Sequence, residues 1–177
     1  MAYEFNKYME LNMVIDINML LDRDDIKEKI VESLVNTKKI GKEQGFNVYK
    51  DKDIVIGEII EGEKLSLGNK ERSNRKMVGA LHTHTILTST NDILPSQADI
   101  AKALKDKLNF FCVGGIKENI GMIRCFNTNN IERELDNIEI NISKGDKERS
   151  VRMMIRRMLI DEDYVDKNSI SKQYKIP

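Results

Sequence analysis

Apolar residues with a four-residue step predict a helix near the start of the chain. The step runs from Ile26 to Leu34 and places the apolar side chains on one helical face. Asp25 and Glu28 have the spacing of a capping box, which predicts that the helix begins there. We expect this helix to continue to about Lys39, just before a glycine.

The same periodicity predicts two more helices. One begins at Pro95 and Ser96 and carries apolar residues from Ile100 to Leu108. Serine is a preferred N-cap, because its side-chain oxygen accepts a hydrogen bond from a free N–H of the first turn. The other helix is predicted over residues 146–159.

Short segments rich in Ile, Val and Phe predict strands between and around these helices. They cover residues 13–20, 46–50, 54–67, 77–81, 110–115, 121–126 and 138–142. Strands that alternate with helices indicate an α/β fold. We predict one domain over residues 1–130 and a C-terminal extension over 131–177, with a strand and a helix, that packs on this domain or trails from it. We expect the residues after 160 to lie on the surface.

Composition and charge exclude some classes of function. The 177 residues suffice for one domain, and 29 basic residues balance 29 acidic ones, so we expect neither nucleic acid nor an anionic membrane as a partner. No apolar run approaches the roughly 20 residues that cross a bilayer. Cys112 and Cys125 are too few for a secreted disulfide scaffold, so they are predicted to be small core residues. The expected compartment is the cytoplasm.

Both histidines of the chain lie together, where strand 77–81 ends. His82 and His84 are two positions apart, so on a strand their side chains share one face. Asp99 lies in the first turn of the helix that follows. Two imidazoles and one carboxylate are ligands that zinc accepts, and three protein ligands leave the fourth position open, as in catalytic zinc sites. The sequence therefore predicts a zinc site formed by these three residues.

The stretches His82-Thr83-His84 and Ser96-Gln97-Ala98-Asp99 resemble the JAMM motif of the MPN (Mov34/PAD-type) metalloprotease family. This resemblance covers about residues 25–126. It implies a three-layer α/β/α sandwich with a mixed sheet, like that of cytidine deaminases. It also implies a zinc-dependent isopeptidase that removes ubiquitin or a ubiquitin-like protein from a lysine.

Family members also use a glutamate that takes the proton of the attacking water. Glu43 has the place that the resemblance gives this residue, directly after the first helix. Glu58 is the alternative, because it alternates with isoleucines and can point inward. The resemblance further implies that the Ser96 hydroxyl stabilises the oxyanion.

The chain departs from the family pattern in the loop after the histidines. Thr85 stands where family members usually have proline, and the loop 85–94 is longer than usual. A longer loop can still close, since each doubling of its length costs only about 0.6 kcal/mol.

Two other functions stay open from the sequence. One is a catalytically silent MPN-type scaffold that binds protein partners. The other is a metallohydrolase that acts on a small amide or on a small sulfur-carrier protein, because the same attack of water serves any amide.

Overall fold

The computed structural model of the chain describes residues 15–62, 75–85, 93–142 and 147–177. Within these ranges the chain forms six helices and a seven-stranded sheet. The helices are α1 (Ile17–Leu21), α2 (Asp24–Ile40), α3 (Gln97–Lys105), α4 (Thr128–Ile142), α5 (Lys147–Ile160) and α6 (Glu162–Asn168). The strands are β1 (Gln44–Lys50), β2 (Ile54–Ile56), β3 (Ile60–Glu61), β4 (Lys76–Thr83), β5 (Phe110–Lys117), β6 (Ile120–Asn127) and β7 (Ile170–Lys175). In the part of the chain described, no helix has the length and apolar character that crossing a membrane requires.

The sheet is mixed, which confirms the predicted α/β class. Its strand order is β2-β1-β4-β5-β6-β7, and β3 pairs with the beginning of β1. Strands β4 and β5 are parallel, and every other pair is antiparallel. The strand that carries the histidine pair therefore lies inside the sheet, with a neighbour on each side.

Two hydrophobic clusters cover the two faces of this sheet. Side chains of β5 alternate between them, since Phe110 and Cys112 join the first cluster whereas Phe111 and Val113 join the second. The first cluster contains the buried side chains of α1 and α2, and the second contains those of α3, α4, α5 and α6. Burying each large apolar side chain stabilises the fold by about 1.5–3 kcal/mol. Helices thus fix the sheet from both sides.

The first predicted helix is confirmed as α2, but its predicted capping box is wrong. The helix begins at Asp24, and its N-cap residue Arg23 makes no side-chain capping bond. The carboxylate of Asp25 instead pairs with the Arg23 guanidinium at 2.6 Å. The helix ends where predicted, because Gly41 adopts the left-handed conformation with φ of 70°, which costs a glycine little.

The strand predicted over residues 13–20 is wrong for its described part. The chain forms helix α1 there, with Asp16 as N-cap accepting a hydrogen bond from the Met19 N–H. The three buried residues of α1 are Ile17, Leu20 and Leu21, which have helical spacing. A five-residue helix offers too few positions to separate this spacing from the alternation of a strand. Residues 13 and 14 lie outside the described ranges.

The strand predicted over residues 138–142 is also wrong, because these residues end helix α4. Isoleucines at alternate positions suggested a strand. Ile131, Leu135 and Ile138 repeat at helical spacing, and all three belong to the second cluster. The helical spacing extends over more residues than the alternation, and the segment is therefore a helix. The helix predicted over 146–159 is confirmed as α5.

The residues after 160 fold into the domain and do not merely lie over its surface as predicted. Asp161 caps helix α6, which buries Tyr164 and Val165 in the second cluster. Strand β7 then pairs along β6 from Ile170 to Lys175. An edge strand of this kind buries little side-chain surface, so its sequence is polar and gives a weak hydrophobic signal.

The two cysteines lie opposite each other in the antiparallel β5–β6 pair and form a disulfide. Cys112 and Cys125 are buried, as expected, at 1% and 0% exposure. The sequence did not predict the bond, since the pairing depends on the register of the two strands. Disulfides are rare in cytoplasmic proteins, so this bond does not favour the compartment expected from the sequence.

Gly79 lets strand β4 pack closely against Phe110 of the neighbouring strand β5. A Cβ atom at Gly79 would overlap with the Phe110 ring. We therefore expect Gly79→Ala to lower the free energy of unfolding by about 1–3 kcal/mol, the usual cost of overpacking. Urea denaturation measures this change as a lower midpoint at constant slope.

Phe110→Leu provides the control for this prediction. If the clash is the cause, the double variant Gly79→Ala/Phe110→Leu loses less stability than the sum of the single variants. A Gly79→Ala protein as stable as the parent would contradict the packing described here.

Candidate metal centre

The histidine pair is fixed by the strands on both sides of β4. His82 lies opposite Gly45 of β1 and Val113 of β5. His84 follows the last residue of β4, and its N–H donates a hydrogen bond of 2.7 Å to the Gly114 carbonyl. Because the two histidines are two positions apart, their side chains project from the same face of the sheet.

The distances between the potential ligand atoms fit a site for one tetrahedrally coordinated metal ion. The two Nε2 atoms of His82 and His84 are 3.3 Å apart, and the His82 Nε2 is 3.4 Å from an Asp99 carboxylate oxygen. Donor atoms of the three side chains all lie within 4.8 Å of one another. Ligands about 2.0–2.1 Å from zinc, at the tetrahedral angle, are separated by about 3.3 Å. The three residues can therefore hold one metal ion.

Asp99 reaches the histidines because its own helix orients the carboxylate. Its Oδ2 accepts a hydrogen bond of 2.7 Å from the Ser96 N–H, while its N–H donates to the Ser96 Oγ at 3.2 Å. These two bonds form a capping box at the beginning of α3. The other carboxylate oxygen, Oδ1, is the one that faces His82. One oxygen thus caps the helix and the other is available to a metal.

The environment of Asp99 favours its charged form. Burial alone would raise its pKa, but the His82 imidazole and the hydrogen bonds from Ser96 outweigh burial and lower the pKa to about 2. The carboxylate is therefore ionised at neutral pH, as a metal ligand must be. Its side chain is 21% exposed, so solvent still reaches the group.

The centre opens into a cleft of about 910 Å³. The cleft combines a mainly apolar floor, formed by Ala80, Ala103, Leu108 and Phe111, with a polar rim. All five residues that the sequence singled out as site residues line it: Glu43, His82, His84, Ser96 and Asp99. The structure thus brings together side chains from the beginning of β1, the end of β4 and the beginning of α3.

The two candidate glutamates lie in different places. Glu43 lines the cleft, and its backbone carbonyl accepts a hydrogen bond of 2.6 Å from the Gly62 N–H. Glu58 does not point inward as its sequence pattern allowed, since its side chain is 96% exposed and pairs with Lys29 of α2 at 3.6 Å. Only Glu43 of these two shares a cleft with the metal centre.

Sequence reasoning missed several polar residues of the cleft, among them Asn47 and Lys102. Asn47 lies on β1, on the face opposite to Phe46 and Val48, so strand alternation could have identified it. Lys102 follows Asp99 by three positions on α3, and residues at this spacing share one helical face. The alternation along β1 and the spacing on α3 are both visible in the sequence. They point to the cleft only once the order of the strands is known.

The loop after the histidines is described only at its two ends. Thr85 lines the cleft, whereas residues 86–92 lie outside the described ranges, and with them most of the loop's predicted extra length. At the other end, Ile93 and Leu94 are buried in the second cluster, and the Arg124 guanidinium donates to the Ile93 carbonyl at 3.4 Å. The chain is therefore anchored again before helix α3 begins.

Comparisons of the chain with protein-family models, with curated proteins and with solved structures found no match.

The donor geometry predicts that each chain binds one divalent metal ion, and zinc is the ion with which we test it. His82→Ala and Asp99→Ala should each abolish binding, because each removes one of three protein ligands. Metal analysis after dialysis measures the stoichiometry, and thermal unfolding measures the stabilisation, about 2.7 kcal/mol when free zinc is 100 times its Kd.

Asp161→Asn is a suitable control for zinc binding, because Asp161 caps a helix outside the cleft. This variant should bind zinc like the parent. A parent protein without zinc affinity, or a His82→Ala variant with unchanged affinity, would show that the three residues do not form a metal site.

The capping box predicts a second, metal-independent role for Ser96. In the presence of a chelator, Ser96→Ala should lower the free energy of unfolding by about 1 kcal/mol, since the helix loses its N-cap. Ser96→Thr keeps the hydroxyl and should stay close to the parent. Equal stability of the alanine variant and the parent in urea denaturation would contradict the cap.

Proposed function

We propose that the protein is a zinc-dependent amide hydrolase, an isopeptidase of the JAMM type. One observation carries this proposal: three potential zinc ligands and a separate glutamate line one cleft. His82, His84 and Asp99 have the spacing of a metal site, and Glu43 lines the same cleft. A metal site with a separate carboxylate in one cleft is the arrangement that hydrolysis of an amide requires.

The fold supports the same proposal. A three-layer JAMM-type sandwich requires a mixed sheet with helices on both faces. The described sheet is mixed, and separate hydrophobic clusters pack on its two faces. The motif strand β4 and the motif helix α3 occur in the expected order, followed by the strand pair β5 and β6.

The donor set favours a transition metal such as zinc over calcium or magnesium, and the motif resemblance points to zinc. Two imidazoles and one carboxylate suit zinc, whereas calcium and magnesium prefer oxygen ligands alone. When bound, zinc supplies a Lewis acid and lowers the pKa of a bound water from 15.7 to about 7. His82, His84 and Asp99 would hold the ion and leave its fourth coordination position open for water.

Glu43 moves the proton during the reaction. Its carboxylate takes a proton from the attacking water as the water oxygen bonds to the amide carbon. The same carboxyl group then gives this proton to the amide nitrogen, and the carbon–nitrogen bond breaks. The products are a carboxylic acid and a free amine, so the glutamate returns to its initial state.

Ser96 stabilises the negative charge that develops on the carbonyl oxygen. Its Oγ accepts a hydrogen bond from the Asp99 N–H, which fixes the side chain at the beginning of α3. This bond uses the oxygen as an acceptor, so the O–H can still donate to an oxyanion. A donor that is held in place before the reaction stabilises the transition state most effectively.

The substrate we propose is a ubiquitin-like or other small protein attached through a lysine side chain. The cleft lies at the upper end of the range of ligand pockets, about 300–1,000 Å³. Its apolar floor and charged rim suit an extended peptide segment with both apolar and polar groups. The assignment to a ubiquitin-like protein rests on the motif resemblance.

We expect Glu43→Gln to bind zinc like the parent and to lose about 10²–10⁴-fold in kcat, because the ligands remain and the proton acceptor is removed. Glu58→Gln is the matched control, since it makes the same chemical change at a carboxylate outside the cleft. Metal analysis and steady-state kinetics on a lysine-linked conjugate measure both quantities. An active Glu43→Gln protein together with an inactive Glu58→Gln protein would reverse the assignment.

The same assay decides the class of substrate. Lysine-linked conjugates of small modifier proteins and short amides are incubated in parallel and analysed by mass spectrometry. Cleavage of the conjugates supports an isopeptidase, whereas turnover of short amides alone indicates a small-molecule hydrolase. A protein that binds zinc but cleaves neither class would contradict the proposed activity.

A further inference from the structure

Thr83 lies between the two histidines and is fully buried, at 0% exposure. Because side chains alternate along a strand, its hydroxyl points to the face opposite to the imidazoles of His82 and His84. On that face it contacts Thr37 of helix α2 and the backbone of Gln44 at the beginning of β1. The side chain between the two metal ligands thus connects three elements of the fold.

The hydrogen bonds of Thr83 join it to both backbone polar groups of Gln44. The Gln44 N–H donates to the Thr83 Oγ1 at 3.0 Å, and the same Oγ1 lies 3.1 Å from the Gln44 carbonyl, which can accept its hydrogen. The Thr83 and Thr37 hydroxyls are also in direct contact, and the Thr37 Oγ1 lies 2.9 Å from the Ser33 carbonyl. The two hydroxyl hydrogens therefore serve two of three bonds at a time: the bond between the threonines and the bonds to the carbonyls of Gln44 and Ser33. A hydroxyl has one hydrogen and can accept twice, so the bond from the Gln44 N–H forms whichever acceptor Thr83 selects.

Gln44 directly follows Glu43, the residue to which we assign proton transfer. The next residue, Gly45, lies opposite His82 in the β1–β4 pair. A single buried hydroxyl therefore fixes the backbone beside both histidines and the backbone beside Glu43. The Thr37 contact attaches this unit to helix α2, whose buried face packs in the first cluster.

We propose that Thr83 is a positioning residue for the metal centre, with Thr37 as its support on helix α2. Its hydroxyl sets the distance between the histidine pair and Glu43 without touching the metal or the substrate. The inference rests on the proposed function, because it assigns the hydroxyl a role in zinc affinity and turnover. A hydroxyl that served only as a satisfied buried group would affect stability alone.

Thr83→Val tests the inference, since valine has the shape of threonine and lacks the hydroxyl. We expect its zinc affinity to fall by about 10–100-fold, the usual effect of losing a group that orients metal ligands. We also expect kcat to fall with KM little changed, because the displaced Glu43 acts in the chemical step. Competition with a chelator measures the affinity, and steady-state kinetics measure the rates.

Two further variants separate positioning from packing. Thr83→Ser restores the hydroxyl and should recover most of the zinc affinity and of kcat. Thr128→Val makes the same change at another buried threonine, whose hydroxyl has no hydrogen-bond partner among the described residues. Its zinc affinity and kcat should equal those of the parent.

The outcomes distinguish this inference from the proposed function. If the parent binds zinc and Thr83→Val binds it equally well with unchanged kcat, the positioning role is wrong and the proposed function stands. If the parent binds no zinc, both are wrong. If Thr83→Val does not fold, Thr37→Val takes its place, because it leaves the bonds to Gln44 and removes the support on α2. That variant should lose affinity to a smaller extent, and parental affinity would overturn the inference.

Discussion

The alternation of side chains along strand β4 is the constraint on which the centre depends. The strand is paired on both sides, so its backbone cannot rotate to exchange its two faces. His82 and His84 therefore project together into the cleft, while Thr83 must project to the helix on the other face. One short segment thus supplies two potential metal ligands and the hydrogen-bonded group that fixes the backbone between them.

The parallel pairing of β4 and β5 explains why a carboxylate from another element meets the histidines. Two parallel strands need a crossover of about a dozen residues or more, usually a helix. Helix α3 is this crossover, and it begins beside the end of β4. Asp99 lies in its first turn, where an acidic side chain also interacts favourably with the helix dipole. The crossover topology and the preference of the first helical turn for an acid thus both favour Asp99 beside the histidines.

The sequence predicted the elements around the site well because their signals are local. The histidine spacing, the N-cap at Ser96 and the strand pair after α3 each depend on a few neighbouring residues. Predictions failed where the structure depends on distant partners. Strand β7 is recognisable only by its pairing with β6, and the disulfide only by the register of two strands.

The strand predictions for two short segments failed for a different reason. Over five residues the period of a strand and the period of a helix can fit the same apolar positions, as in α1 and at the end of α4. The two candidate glutamates could not be separated by pattern either. The structure distinguishes them, because β1 pairs with β4 directly after Glu43, whereas the exposed side chain of Glu58 pairs with Lys29 of α2.

Asp99 divides its two oxygens between a helix and the histidine side of the cleft. The Asp99 carboxylate in one conformation thus meets both the Ser96 N–H and the His82 side of the cleft. Any ion held by the second oxygen would also tighten the first turn of α3, so occupancy of the centre and order at the mouth of the cleft would rise together.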